Sequence, residues 1–362
     1  MPRWPDRRLL DLLNIEIPII QAPMAGADSV ELARSVSSTG ALGSLACALL
    51  SPDSVHEAVA ALRRDMRRPF NLNFFCHQMN APDPAASERW KAFLRPHYER
   101  WNLDIDAVPQ TPLRQPFDER MCDVLEDLKP EIVSFHFGLP QPNILHRLKR
   151  FGAKILSTAT SVKEAKWLEA CGCDAIVAQG LEAGGHRGMF LETNVAAQVG
   201  LFALLPQVAD AVSAPVIAAG GIGDARGVAA AFALGASGVQ LGTAYLFCPE
   251  ATVAPLHRRA LDQVADHRTA LTNLFSGRPA RGILNRFLEE CGPMSDAALP
   301  FPFAATLVAP LRAASERADS LDYMQLWAGQ AAALGKSMPA GQFTRELAAE
   351  AIDFWRKNEA AR

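Results

Sequence analysis

The sequence feature that most limits the fold is a regular alternation of short apolar segments with amphipathic stretches of helical period. The apolar segments have the length of buried strands, and the stretches between them have the period of helices that cover a sheet. Strands that are buried on both faces are typical of parallel sheets. The predicted strands are Ile17–Met24, Gly40–Leu45, Pro69–Phe75, Ile132–Phe137, Lys154–Thr158, Ala175–Ala178, Pro215–Ala219 and Gly238–Leu241.

Most of these strands are followed by a predicted helix, and this pattern favours an α/β fold in which a parallel sheet closes into a (β/α)8 TIM-type barrel. A doubly wound sheet is the alternative. It would need a G-x-G-x-x-G turn after the first strand, and Ala25-Gly26-Ala27-Asp28 does not supply one. The predicted helices cover Ser29–Ser37, 51–67, 118–128, 143–151, Val162–Ala170, Val195–Val212 and Ala225–Leu234.

Composition changes along the chain predict a large barrel and a smaller, mostly helical second domain. We expect residues 1–248 to form the barrel, with an excursion on its rim near 76–117, where Pro, Trp and charged residues are frequent. The strand pattern then stops, and residues 249–300 are predicted to form helices and loops on the substrate side. We expect residues 301–362 to be a helical segment that packs back on the barrel, with its helix over Leu321–Lys357.

Charge and cysteine usage argue against several classes of partner. The formal net charge of −3 gives no electrostatic reason to expect nucleic acid or an anionic membrane as a partner. Seven scattered cysteines predict a reduced, cytoplasmic protein, and Asp11 and Glu16 interrupt any signal-peptide core. The uncharged run Val228–Cys248 is long enough to span a bilayer, but its glycines favour a buried helix followed by a buried strand. Both a monomer and an oligomer are compatible with this composition.

Three glycine-rich stretches follow the last three predicted strands. They are Gln179–Gly188, which contains His186, then Gly220–Asp224 and Gln240–Thr243. Glycine lets a backbone turn tightly and approach a ligand, and barrels commonly bind phosphate in the loops after strands seven and eight. Each cluster alone is explained by a tight turn, but the pair after strands seven and eight favours a phosphate-bearing cofactor.

Polar side chains at other strand ends are predicted to form a ring around the same site. Asn71 and Asn73 share one side of the third strand, and Ser134 and His136 share one side of the fourth. Amide side chains suit the edge of a heteroaromatic ring, although pairing with each other inside the core is the alternative. The chain has no H-E-x-x-H motif and no cysteine cage, and its sixth predicted strand does not end in lysine. We therefore expect a cofactor to carry the chemistry.

Five motifs resemble the nitronate monooxygenases, formerly called 2-nitropropane dioxygenases. The similarity covers nearly the whole barrel, and G-G-H-R-G together with F-F-C-H resembles the class I branch. The resemblance implies FMN, a TIM-type barrel with a smaller helical domain, and oxidation of alkyl nitronates by O2 to carbonyl compounds and nitrite. The motifs are Gln21–Gly26, Phe70–Asn73, Gly184–Gly188, Ala219–Ile222 and Gln240–Thr243.

The resemblance also implies roles for individual residues. His186 resembles the catalytic histidine and His136 an inner-site histidine, and Ser134 is expected in the substrate pocket. Relatives place tyrosines around that pocket, whereas this chain offers phenylalanines, Phe303 among them. The implied cofactor contacts are Ala22, Met24, Asn71 or Asn73, Gln179, Gly184, Gly185, Gly220, Gly221, Gln240, Leu241, Gly242 and Thr243.

Two other functions remain as alternatives. The same barrel resembles FMN-dependent enoyl-acyl-carrier-protein reductases and NADH:quinone reductases, so an NAD(P)H-dependent reductase is one. A flavin- or phosphate-binding protein without turnover is the other. Within the first hypothesis, His186 either holds the nitronate anion as an imidazolium or acts as a base on the α-carbon of a nitroalkane.

Overall fold

Eight parallel strands form one sheet in a computed structural model that describes residues 4–109 and 114–360. Neighbouring strands follow the order β1-β9-β8-β6-β5-β4-β3-β2, and a bridge between Ile20 and Leu42 brings the two ends together. The (β/α)8 prediction is confirmed. The barrel strands are β1 Ile19–Gln21, β2 Gly43–Ala46, β3 Phe70–Phe75, β4 Ile132–His136, β5 Lys154–Ala159, β6 Ala175–Gln179, β8 Val216–Ala219 and β9 Gly238–Leu241.

Helices cover the outside of this sheet, and several begin with a side-chain cap. The hydroxyl groups of Ser29, Ser51 and Ser161 accept backbone N–H groups in the first turns of their helices, as the Asp224 carboxylate does. The helices are α1 Arg8–Leu13, α2 Val30–Ser37, α3 Pro52–Arg64, α4 Pro84–Arg100, α5 Glu119–Leu128, α6 Pro142–Arg150, α7 Val162–Ala170, α8 Leu201–Ala211, α9 Ala225–Ala233, α10 Thr243–Leu246, α11 Pro255–Asp262, α12 Arg286–Cys291, α13 Ala304–Arg317 and α14 Ala340–Ala360.

A second, three-stranded sheet lies beside the barrel and was not predicted. It contains β7 (Gly185–His186), β10 (Thr269–Thr272) and β11 (Ala280–Ile283), with β11 antiparallel to both neighbours. Residues 249–300 were predicted to contain only helices and loops. These strands escaped prediction because they are short and lack an alternation of apolar and polar residues.

Two predicted helices begin later than expected. The helix predicted over Val195–Val212 is a short 3-10 turn at Val195–Ala197 followed by α8. The helix predicted from Leu321 begins only at Ala340, because residues 321–339 run mainly as loop with one 3-10 turn. This loop was mistaken for a helix because its apolar residues, which face the cavity and a separate core, resemble the apolar face of a helix.

A second hydrophobic core joins the rim excursion to segments from the last third of the chain. Trp90, Leu94 and Tyr98 of α4 pack with Leu307 and Leu311 of α13, and all five side chains are buried. Residues before and after position 300 both contribute to this core, so the segment from 301 onward does not pack on the barrel as one piece.

The C-terminal helix α14 packs against the outside of the barrel. Its Phe343 ring lies 5.2 Å from the ring of Tyr245, whose hydroxyl is 2.8 Å from Thr344 Oγ1. The uncharged run Val228–Cys248 forms parts of α9, β9 and α10. Across the described residues, no helix is both long and apolar enough to cross a bilayer.

Candidate active site

A cavity of about 530 Å3 opens at the carboxyl ends of the barrel strands. Its size is within the range of small-molecule sites. Almost every residue that the sequence analysis assigned to the site lines it. These residues are Ala22, Met24, Asn73, Ser134, His136, Gln179, Gly184, Gly185, His186, Gly220, Gly221, Gln240, Leu241, Gly242 and Thr243.

Two of the assigned residues do not line this cavity. Asn71 lies two residues earlier on β3, where its Nδ2 donates to Ser44 Oγ at 3.0 Å, so it belongs to the barrel interior. Phe303 packs against the second core instead. Phe301 lies closer to the site, with its ring centroid 5.5 Å from that of His186, although it does not line the cavity either. The sequence could not distinguish Asn71 from Asn73 or Phe301 from Phe303. The two residues of each pair are of the same type and only two positions apart, so they differ only in how deeply they lie in the structure.

The loops after β8 and β9 leave polar groups without partners. The backbone N–H groups of Gly221 and Thr243 make no hydrogen bond within the described part of the chain. Thr243 Oγ1 accepts the Gly329 N–H at 2.9 Å, which leaves its own hydrogen free to donate. Gly220 and Gly221 have φ values of +108° and +70°, a backbone that strongly favours glycine. We call the Gly221 and Thr243 N–H groups and the Thr243 hydroxyl the phosphate cradle. They are hydrogen-bond donors of the kind that a phosphate group requires.

Two amide side chains offer hydrogen-bonding groups to the same cavity. Asn73 Nδ2 lies 3.3 Å from the carbonyl of Ser134 and 2.9 Å from its Oγ. A carbonyl only accepts, so Nδ2 is the donor and Asn73 Oδ1 is left for an N–H group of a ligand. The Gln240 amide lines the cavity without a hydrogen bond to any described residue. Together these amides suit the polar edge of a heteroaromatic ring.

His186 is held between the barrel and the second sheet. As part of β7 it pairs with Ala280 of β11, and its Nε2 lies 2.9 Å from Ser276 Oγ. The ring packs against aromatic neighbours, with Phe301 and Trp327 both at 5.5 Å between centroids. Phe75 and Phe137 lie slightly farther away, at 6.3 and 6.1 Å. The imidazole therefore has one well-defined position.

The backbone carbonyl of His186 accepts two side-chain donors. Gln179 Nε2 donates to it at 3.0 Å and His136 Nε2 at 3.1 Å, while Gln179 Oε1 accepts the Gly188 N–H at 2.8 Å. The other nitrogen of His136 lies 3.1 Å from Thr158 Oγ1. Because both ring nitrogens of His136 are engaged by the protein, it positions the loop and offers no free nitrogen to a substrate. Burial lowers the pKa of His136 to about 3.

Burial also holds the pKa of His186 well below its usual range, and the positive charge of Arg114 lowers it further. His186 is therefore neutral near pH 7. A neutral ring suits the role of a base on the α-carbon better than that of an imidazolium that holds a nitronate anion, and the choice between these two roles stays a prediction.

Several cavity residues were not identified from the sequence, and three of them have side chains suited to contact a ligand. Arg114 and Arg312 line the cavity, and Arg114 Nε is buried without a hydrogen-bond partner among the described residues. Trp327 lines it from the loop between α13 and α14. Arg114 belongs to the excursion that was predicted to be a mere rim feature, and Trp327 to a predicted helix. Neither carries a local motif that would have identified it.

Two buried arginines hold the loop that carries His186. Arg187 donates to the carbonyls of Gly180 and Gln179 at 2.7 and 2.8 Å and to Gln198 Oε1 at 2.7 Å. Arg281 Nε donates to the next carbonyl, that of Leu181, at 3.0 Å. Guanidinium groups thus donate to three consecutive carbonyl groups. These hydrogen bonds fix the path of a loop that has no regular secondary structure.

The acids near the site serve as structural groups. Both carboxylate oxygens of Glu182 lie 2.9 Å from the N–H of Leu201 at the start of α8. Asp224 caps α9. In the part of the chain that the structure describes, no group of three or more His, Cys, Asp or Glu side chains could hold a metal ion.

Comparison with known proteins identifies relatives over nearly the whole chain. A family model described as nitronate monooxygenase matches residues 6–350. A nitronate monooxygenase from Paraburkholderia phytofirmans is 42% identical over 95% of this chain and 94% of its own length. Another from Pseudomonas aeruginosa is 40% identical over 95% of this chain and 98% of its own length. The crystal structure of a nitroalkane oxidase from Streptomyces ansochromogenes has a TM-score of 0.86 at 38% identity, covering 97% of this chain and 99% of that one.

Proposed function

This chain belongs to the nitronate monooxygenase family of oxidoreductases, and we propose that it binds FMN in the barrel cavity and oxidises alkyl nitronates with O2 to carbonyl compounds and nitrite. The proposal rests on one observation. The same cavity contains the unpaired N–H groups of Gly221 and Thr243 and a neutral, immobilised His186.

The residues present fit FMN. The Gly221 and Thr243 N–H groups and the Thr243 hydroxyl would hold the phosphate. Asn73 and Gln240 would meet the polar edge of the ring system. The absence of a G-x-G-x-x-G turn after β1 argues for a mononucleotide over a dinucleotide. When bound, FMN supplies electron transfer between an organic substrate and O2.

The charges around the cavity fit an anionic substrate. Arg114 and Arg312 line it, and neither has an ion pair with a described acidic side chain. A guanidinium with an unused buried donor attracts and orients an anion such as the nitro group of a nitronate. The Phe75, Phe301 and Trp327 rings around His186 exclude water from the space beside it.

The first test is the identity and reactivity of the cofactor. We expect the purified protein to be yellow and to release FMN, identified by its mass. Anaerobic mixing with propyl-2-nitronate should bleach the flavin, whereas NADPH should not, and nitrite should appear once O2 is admitted. Recovery of FAD or of no flavin after reconstitution would refute the cofactor. Bleaching by NADPH alone would identify the reductase, and bleaching by neither reagent would identify a binding protein without turnover.

A substitution in the phosphate cradle tests the position of the cofactor. Gly221→Val places a β-branched residue at a φ of +70° and fills the space in front of an unpaired N–H group. We expect FMN affinity to fall by about 1–3 kcal/mol, the usual cost of strain of this kind, at unchanged circular dichroism. Flavin occupancy after dialysis, read from the ratio of absorbance at the flavin and protein bands, measures the loss.

Gly292→Val is the matched control for this variant. Gly292 has a φ of +71°, and an added Cβ would meet no heavy atom within 4 Å. It ends α12, outside the cavity. The control therefore carries the same backbone strain without touching the cradle and should keep its FMN. Equal occupancy in the two variants would show that the loop after β8 does not contact the cofactor.

A further inference from the structure

We propose that Ser276 is a positioning residue that sets the tautomer of His186, so that Nδ1 of the ring carries a lone pair toward the cavity and accepts the α-proton of a nitroalkane. This inference rests on the proposed function and deepens it, because it assigns a second residue to that function. Ser276 lies outside the barrel, in the turn before β11, and its side chain is buried.

The contacts of the Ser276 hydroxyl determine which atom carries each hydrogen. Its Oγ lies 2.9 Å from His186 Nε2 and 3.3 Å from the carbonyl oxygen of Arg278. A carbonyl only accepts, so that contact requires the single hydroxyl hydrogen of Ser276. His186 Nε2 must then donate its own hydrogen to Ser276 Oγ. In this arrangement both contacts are hydrogen bonds, and the Arg278 carbonyl is not left unpaired.

The opposite arrangement loses one of these bonds. If Ser276 donated to His186 Nε2, no hydrogen would remain for the carbonyl of Arg278, which has no other donor among the described residues. That arrangement therefore has one hydrogen bond fewer than the first. The first arrangement is therefore favoured, and a neutral ring that carries its hydrogen on Nε2 has its lone pair on Nδ1.

Nδ1 of His186 has no hydrogen-bond partner in the described chain, and it is not among the buried polar atoms that lack one. It therefore retains accessible surface, and His186 lines the cavity. The ring cannot simply turn over, because Trp327 and Phe301 pack against it and the His186 carbonyl is held by Gln179 and His136.

The proton transfer that this geometry allows is balanced within the site. The Nδ1 lone pair forms an N–H bond with the α-hydrogen of a nitroalkane. The C–H electron pair becomes the C=N bond of the nitronate, and the nitro oxygens take the negative charge. The products are a nitronate anion and a His186 imidazolium, whose Nε2–H still donates to Ser276 Oγ. The nitronate is then the substrate of the proposed oxidation.

The groups that face His186 set the strength of this base. Four basic side chains surround the ring: Arg114, Arg278, His77 and His136. The two arginines disfavour protonation of the ring, because protonation places another positive charge beside them. The nitronate that forms beside the imidazolium and Arg114 carries a compensating negative charge. Protonation of His186 is therefore favoured only when a nitronate anion forms beside it, that is, when the substrate is bound.

The tautomer can be read directly by nuclear magnetic resonance, without turnover. The purified, FMN-loaded protein with 15N-labelled histidine gives separate signals for the two ring nitrogens, and His186→Asn assigns them. We expect Nε2 of His186 to be the protonated, pyrrole-type nitrogen in the wild type. In Ser276→Ala this preference should weaken, and in Ser276→Thr, which keeps the hydroxyl, it should persist. A pyrrole-type Nδ1 in the wild type would overturn the proposal, whatever the protein oxidises.

Kinetics provide the second measurement. We expect Ser276→Ala to lower kcat for nitroethane about tenfold, the effect of one lost hydrogen bond on a general base, with kcat for preformed ethylnitronate little changed. Ser276→Thr should restore most of the nitroethane activity. Ser315→Ala is the control, because it removes a buried hydroxyl of α13 that donates to the Ser320 carbonyl and does not line the cavity.

The outcomes separate the two proposals. Full nitroethane activity in Ser276→Ala, or equal losses on both substrates, would overturn the positioning role while leaving nitronate oxidation intact. A wild-type protein that oxidises neither substrate would refute the proposed function, and the resonance measurement would still decide the tautomer.

Discussion

Replacing His186 with asparagine is expected to reduce kcat for a neutral nitroalkane by about 10²- to 10⁴-fold, the usual contribution of a positioned general base. Burial holds the pKa of His186 well below its usual range, and its Nδ1 has no hydrogen-bond partner among the described residues, so the variant removes a proton acceptor and not a positive charge. A preformed nitronate has already lost its α-proton. Its turnover should therefore fall far less, and steady-state rates on nitroethane and ethylnitronate at matched FMN content measure the difference.

The pH dependence follows from the low pKa of His186. The base is active when it is unprotonated, so nitroethane turnover requires a pH above the pKa of the ring in the free enzyme. Because burial and Arg114 hold that pKa well below its usual range, we expect no loss of activity through the ordinary histidine range near pH 6.5.

His97→Asn is the control for this variant. His97 is also a buried histidine, but its Nδ1 lies 2.9 Å from Tyr323 OH in the second core, away from the cavity. Comparable losses on nitroethane and its nitronate in His186→Asn would indicate electrostatic stabilisation instead of base catalysis. Wild-type rates on both would remove His186 from the mechanism.

Replacing Arg187 with methionine should have the largest effect on stability. The side chain is fully buried, and its three acceptors are the carbonyls of Gly180 and Gln179 and the side chain of Gln198. Methionine fills much of the space but removes the donors to the Gln179 carbonyl and Gln198 Oε1, whereas the Gly180 carbonyl keeps the N–H of Ala183 at 3.1 Å. We expect the free energy of unfolding to fall by about 3 kcal/mol or more, since each unsatisfied buried group costs about 1–3 kcal/mol. Urea denaturation followed by circular dichroism measures it.

The loop should loosen together with the fold, because Gln179 and Gly180 lead directly into the segment that carries His186. Arg187→Lys keeps a charge but lacks the planar array of donors, so its stability should lie between those of the wild type and the methionine variant. Arg226→Met, which removes an exposed ion pair with Asp224, should remain close to the wild type. Equal stability of Arg187→Met and the wild type would show that the three hydrogen bonds are replaced by water.

The barrel could be predicted from the sequence because the residues of each strand are by themselves enough to indicate a buried strand. Segments such as Ala175–Gln179 are buried on both faces, and the glycines that follow them mark the ligand-binding edge. The same local information placed Gly221, Thr243 and His186 in one cavity.

What could not be predicted depends on contacts distant in the chain. The four-residue strands β10 and β11 have no periodic signal and exist because they pair with each other and with β7. Trp327 lies in a loop whose apolar residues imitate a helix, and it reaches the cavity only because β11 bridges to it at Gly282. Arg114 is brought to the cavity by the rim excursion, whose composition resembles an ordinary surface insertion.

The pairing of β7 with β11 also has a consequence for the order in which the protein is assembled. His186 Nε2 and Ser276 Oγ are 90 residues apart in sequence, and β11 lies later still. A nascent chain can therefore expose all eight barrel strands, which end at Leu241, before the partners of the His186 segment have left the ribosome. Long-range pairings of this kind form late in folding. The His186 segment thus reaches its final position only after β11, which ends at Ile283, has been synthesised, although His186 itself lies near the midpoint of the chain.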